Sequence, residues 1–224
     1  MKRLLSLFLL LLTSILHAQP PATWHKYAFE KVFAQRPVSL SGDAQLRFRN
    51  GYRELQQLLV RAAGNLRPDD SPFAYALGYA YLRATTREVP PPLANEHRLH
   101  QQIAVPQPLN DRLTLRHRLR IEQRFVRGLA FRMRYRYRLG LRTPLNAPEL
   151  QPRAWYVTAF NEIFFGGTLD AGEPLFDQQF DRNRTYLGAG YVLSDHLRAQ
   201  LGWMRQVTPD GQRRVVCLGV TQRW

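Results

Sequence analysis

Residues 131–142 read FRMRYRYRLGLR, with arginine at every even position except 140, where glycine stands. The odd positions, Phe131, Met133, Tyr135, Tyr137, Leu139 and Leu141, are all large and apolar or aromatic. A period of two puts successive side chains on opposite faces of a β-strand, so one face is aromatic and the other almost wholly guanidinium. The preceding stretch, 112–125, repeats the pattern. Leu113, Leu115, Leu119, Ile121 and Phe125 share one face, and Arg112, Arg116, Arg118, Arg120, Glu122 and Arg124 share the other. Arg127-Gly128 between the two stretches reads as a tight turn, which makes them a hairpin.

Alternation recurs along the chain. In 73–83, Phe73, Tyr75, Leu77, Tyr79 and Tyr81 oppose Ala74, Ala76, Gly78 and Ala80. If the small face lines an enclosed space, it leaves room for long arginines from other strands. Further candidate strands lie at 24–33, 44–50, 96–105, 153–165, 184–194, 197–207 and 213–224. Many are separated by breakers, among them 67–72, Pro90-Pro91-Pro92, 106–108, 144–152, Ser194-Asp195-His196 and Pro209-Asp210-Gly211. Residues 53–66 resist this reading, because Leu55, Leu58, Leu59, Ala62, Ala63 and Leu66 follow helical spacing. The neighbouring strands favour strand there too. That makes eleven candidates, whereas a single-chain bacterial barrel normally has an even number. The expectation is an all-β fold: an antiparallel up-and-down transmembrane β-barrel of 10 or 12 strands.

The first segment stands apart. Met1, Lys2 and Arg3 precede a nearly unbroken apolar run from Leu4 to Leu12, and Leu16-His17-Ala18 offers a cleavage site. Residues 1–18 therefore resemble a secretory signal peptide, leaving 19–224 as the barrel domain. No later stretch approaches the ~18–20 apolar residues that a membrane helix needs. The lone cysteine, Cys217, has no internal disulfide partner, so an exported chain must be held by burial and hydrogen bonds. Of 32 basic residues only Lys2, Lys26 and Lys31 are lysine, within a formal net charge of +15. Arginine suits places where a charge is paired, stacked on rings or partly dehydrated, although a G+C-rich coding sequence gives the same bias.

Alternation alone does not say which face meets water. A soluble barrel would turn the apolar face inward, and an outer-membrane barrel would turn it toward lipid. Three features favour the membrane. The apolar positions are rich in Tyr, Phe and Trp, which suit an interface with one dry and one wet side. Strands such as 112–126 and 129–142 exceed the ~9–11 residues that a tilted strand needs to cross hydrocarbon. Val216, Leu218 and Val220 alternate toward a final Trp224, which resembles the signal that outer-membrane barrels present to the insertion machinery. On this reading the lumen holds a charged network of Arg116, Arg118, Arg120, Glu122, Arg124, Arg132, Arg134, Arg136, Arg138, Glu162 and Arg184. Carboxylates, water or anions must offset so many guanidinium groups, with Glu54, Glu96, Glu122, Glu162, Asp177 and Asp181 as candidates.

The runs ANEHRLHQQ, LRHRLRIEQRF, FRMRYRYRL, FNEIFF and DRNRTYLGAGY, taken in this order, resemble the domain of unknown function 2490 family, predicted outer-membrane barrels of Gram-negative bacteria. The likeness covers nearly the whole chain after the signal segment. Matching positions include Glu96, Arg98, Arg118, Arg120, Glu122, Arg124, Arg134, Arg136, Asn161, Glu162, Asn183 and Arg184. The 125–129 connection is shorter than in relatives. The resemblance implies location and architecture, and no chemistry.

Catalytic patterns are scarce. Ser194, Asp195 and His196 are consecutive in a turn, where their side chains splay apart and form no relay. His97 and His100, three apart on a strand, point to opposite faces, and no metal-ligand spacing, phosphate loop or nucleotide fingerprint appears. Neither a cofactor nor a catalytic residue is expected. Arginines flanking Glu122 suit it to an ion pair rather than to a general acid. Aromatics interleaved with arginine occur in single-strand binders, but export argues against nucleic acid. Expected partners are outer-membrane lipid and lipopolysaccharide, small anions and the insertion machinery. Two alternatives remain open at this stage: a soluble periplasmic barrel that binds acidic polymers, and an outer-membrane lipid-modifying enzyme.

Overall fold

Segments with one apolar and one charged face pair edge to edge until no edge remains. The computed structural model describes residues 20–34, 36–85, 93–110, 113–168 and 179–224, and among these every regular element is a strand. The expected signal segment, Pro90-Pro91-Pro92, Arg112 and Asp177 lie outside the described residues. In chain order the strands are β1 (Ala22–Val32), β2 (Val38–Arg49), β3 (Glu54–Leu66), β4 (Ala74–Thr85), β5 (Leu93–Pro108) and β6 (Thr114–Val126). They continue as β7 (Arg132–Pro144), β8 (Trp155–Thr168), β9 (Gln179–Ser194), β10 (Leu197–Thr208) and β11 (Gly211–Arg223). Each pairs with its neighbours in sequence, and β1 pairs with β11 to close the barrel.

The strand count corrects the expectation of ten or twelve: the barrel has eleven. An even number is forced only if every neighbouring pair is antiparallel. Here the closing pair is parallel, running from Ala22↔Val215 to Glu30↔Arg223. The eleven segments visible in the sequence are therefore the eleven strands. One consequence is that β1 starts at one rim, the N rim, while β11 ends at the other, the C rim.

The 53–66 segment is strand β3. Its helix-like spacing arises from apolar residues on both faces: Leu59 and Ala63 are buried inside, and Val60 and Leu66 are exposed outside. A bulge opposite Arg47 and Phe48 shifts the register, with Arg47 opposite Gln57 and Phe48 opposite Leu55. The extra residue lets Leu55 and Leu58, of opposite parity, both face outward. The Arg127-Gly128 turn forms as read. The Leu129 N–H donates to the Val126 carbonyl at 3.1 Å, and Gly128 has φ 79°, the left-handed conformation that glycine adopts freely. Pro106 and Pro108, expected to break the chain, instead sit in the last residues of β5, near the rim where the ladder ends.

Candidate functional site

The outer wall is apolar and the inner wall charged. Leu77, Leu119, Leu187 and Leu201 are between 57% and 64% exposed, while Glu122, Glu162 and Arg120 are 2%, 3% and 6% exposed. In the opening stretch, Tyr137 faces out and is exposed, and Arg134 is buried inside. The parity reading therefore puts Arg118, Arg120, Glu122, Arg124, Arg132, Arg134, Arg136, Arg138, Glu162 and Arg184 on one continuous inner surface contributed by β6 to β9. Arg116 lies on the same face but is exposed near the C rim.

Ion pairs tie these strands together. Glu162 accepts from Arg118 Nη2 at 2.5 Å and from Arg136 Nη2 at 2.7 Å, and Arg136 Nη1 also reaches Glu122. One guanidinium on β7 thus joins carboxylates from the strands on either side. Nearer the N rim, Glu96 receives both nitrogens of the Arg98 fork at 2.8 Å and a second fork from Arg124. Such bidentate, charge-assisted bonds are available to arginine and not to lysine, which fits the bias in composition. Glu96, Glu122 and Glu162 each face more than one guanidinium, which offsets their loss of hydration.

Asp181 joins the lumen through a bulge. Phe164 pairs with Arg182 but Phe165 with Phe180, so Asp181 is the extra residue of β9. There it lies 2.9 Å from Arg134 and 2.8 Å from Arg182. Glu54 corrects the reading in the other direction. It is exposed at the start of β3, opposite Arg49, and accepts from Asn50 at 3.2 Å rather than joining the buried ion pairs. Asp43 was missed. It is buried on the inner wall of β2 and binds the Arg61 fork at 2.8 and 2.6 Å. Its signal was present in the alternation of Ser39, Ser41, Asp43, Gln45 and Arg47, but the strand begins at Val38, well before the expected start at 44.

Aromatic faces were also missed as counterparts of the arginines. Trp24 lies under Arg47 at 4.0 Å and under Arg184 at 4.9 Å, Phe164 meets Arg136 at 4.5 Å and Arg184 at 4.7 Å, and Phe160 meets Arg138 at 3.5 Å. A ring face attracts a cation electrostatically and provides apolar packing for the flat guanidinium. In the run FNEIFF apolar residues fall on both parities, and Phe160 and Phe164 take the inward one. Neutral amides complete the shell, with Arg120 donating to Gln102 and Arg184 to Gln206 at 2.8 Å. The small face of β4 houses an imidazole rather than an arginine: a Cβ on Gly78 would collide with the His100 ring, which is buried.

Ser194 Oγ accepts from the backbone of His196 at 3.3 Å, while the His196 ring contacts the Arg223 carbonyl at 2.8 Å. His97 faces out against the Tyr79 hydroxyl at 2.5 Å, opposite in sense to His100.

Together, the closed sheet and its contents define a β-barrel filled by an arginine–carboxylate–aromatic network. The chain belongs to the family described as Protein of unknown function (DUF2490), whose model matches residues 22–216, from the first residue of β1 into β11. No curated protein matches the sequence.

Proposed function

We propose that the protein is a non-enzymatic outer-membrane β-barrel whose arginine-lined interior is mainly a structural plug with a weak preference for anions. The observation that carries this reading is the inversion of polarity. A wall dominated by exposed Leu, Val, Ile and aromatic side chains would be costly and adhesive in water, whereas in hydrocarbon it is the favoured surface.

The polar side chains on that wall support the same reading, because many of them bond to each other rather than depend on water. Tyr27 donates to Gln222 at 2.8 Å, His117 contacts both Tyr137 and Gln107 at 2.8 Å, and Asn161 and Asn183 exchange two bonds at 3.0 Å. Mutual pairing is what a lipid-facing polar group requires. The apolar run Leu4 to Leu12 would suit export, and the alternating Val216, Leu218 and Val220 of β11 would suit recognition by the insertion machinery. Lipid and lipopolysaccharide would be the surrounding partners.

Fractionation of cells expressing the full chain tests the proposal. The protein is expected in the outer-membrane fraction, to require detergent for release, and to migrate differently on gels before and after boiling. Release by salt or osmotic shock alone would sink it.

A further inference from the structure

The lumen is not uniform along its axis. Around Phe164, Glu122 and Val215 it is packed as tightly as a protein core, with exposures of 1%, 2% and 0%. Toward the C rim the wall opens: the inward-facing Lys26, Arg116 and Arg142 are exposed, and small residues such as Ala28, Gly140 and Gly219 stand between them. At this mouth two tyrosines lie on a floor of glycines. A Cβ on Gly188 or Gly202 would strike Tyr186, and one on Gly190 would strike Tyr156. Both rings are buried, and Tyr186 stacks on Phe160 at 4.8 Å.

Their hydroxyls converge on one amide. Gln200 Nε2 donates to the Tyr186 hydroxyl at 2.5 Å, and the Tyr156 hydroxyl faces Gln200 Oε1 at 3.4 Å. The Arg142 guanidinium lies 5.4 Å above the Tyr156 ring, with Arg116 and Arg198 as its charged neighbours. Among the described residues none of these three guanidinium groups makes a hydrogen bond or ion pair, in contrast to those deeper in the barrel. Of the carboxylates, Glu30 acts on Arg116 from across the mouth, where it faces Arg223 at 3.6 Å.

Three guanidiniums with no direct ion pair, beside buried phenols fixed by packing, form a preorganised set of donors for several oxygens of one anion. We infer that the C-rim mouth is a binding site for small polyvalent oxyanions of the phosphoryl class. The site is defined by the inner wall, so it does not depend on which solvent meets the outer wall.

The full chain in neutral detergent, titrated calorimetrically with inorganic pyrophosphate at constant ionic strength, provides the test. Saturable binding is expected. It should weaken by about tenfold or more in Arg142→Gln/Arg198→Gln, through loss of two charge-assisted contacts. It should persist in Arg205→Gln/Arg214→Gln, which removes the same charge from the outer wall. Tyr156→Phe, a milder change, should weaken binding a few-fold while leaving the gel shift of the folded barrel intact. Three results would overturn the inference: no saturable binding, equal loss in the inner and outer variants, or binding to phosphatidylglycerol-containing micelles with none to pyrophosphate. Pyrophosphate binding by a protein that cells release without detergent would defeat the membrane proposal and leave this site standing.

Discussion

Glu162 shows how a single side chain can hold three strands. It sits on β8, takes a guanidinium from β6 and another from β7, and is almost fully buried. Removing one member of such a set strands the others without compensation, at a cost of about 3–5 kcal/mol. Glu162→Gln is therefore expected to lower unfolding stability by that amount in denaturant titrations of the detergent-solubilised barrel. Glu30→Gln is the control. Its pair with Arg223 is 3.6 Å long with both side chains largely exposed, so the change should cost under about 1 kcal/mol. Equal effects would mean that the buried network contributes no more than a surface contact. At this scale the sequence showed which residues share a face, since parity on a strand is a local property. It did not show that Arg136 bridges Glu122 and Glu162, or that Trp24 lies between Arg47 and Arg184. Those partnerships depend on register and on the curvature that brings non-neighbouring strands together.

At the scale of elements, two bulges change what simple alternation would give. The extra residue in β3 turns Leu55 outward and leaves Gln56 to accept from Arg213 at 2.8 Å, and the extra residue in β9 brings Asp181 to Arg134 and Arg182. A bulge depends on how two strands meet, so neither was visible in one strand's sequence. The parallel closure was hidden for the same reason. It can be tested directly, because the register sets His25 opposite Leu218. A His25→Cys/Leu218→Cys variant in a Cys217→Ser background should form an intramolecular disulfide on mild oxidation, read as a mobility shift reversed by reductant. Failure to form it under conditions that oxidise an antiparallel control pair, Leu201→Cys with Leu218→Cys, would argue against the parallel seam.

For the molecule as a whole, the eleven-stranded sheet encloses a wider space than an eight-stranded barrel would, but its inner residues fill the section around Phe164 and Glu122. In planar bilayers the purified protein is expected to show no large steady conductance. Any residual current should have a reversal potential shifted toward the anion, because guanidiniums outnumber carboxylates on the inner wall. Clear cation selectivity would contradict the proposed lining. By itself the amino-acid sequence determined the two-faced strands, their places along the chain and the surplus of arginine over lysine, because these follow from side-chain periodicity and composition. Tertiary structure alone decided that an odd number of strands closes through a parallel pair, and that one half of the lumen is filled while the other opens as a cationic mouth. Those outcomes arise from closure, which turns one face of every strand toward a shared interior and lets residues far apart in the chain compete for the same space.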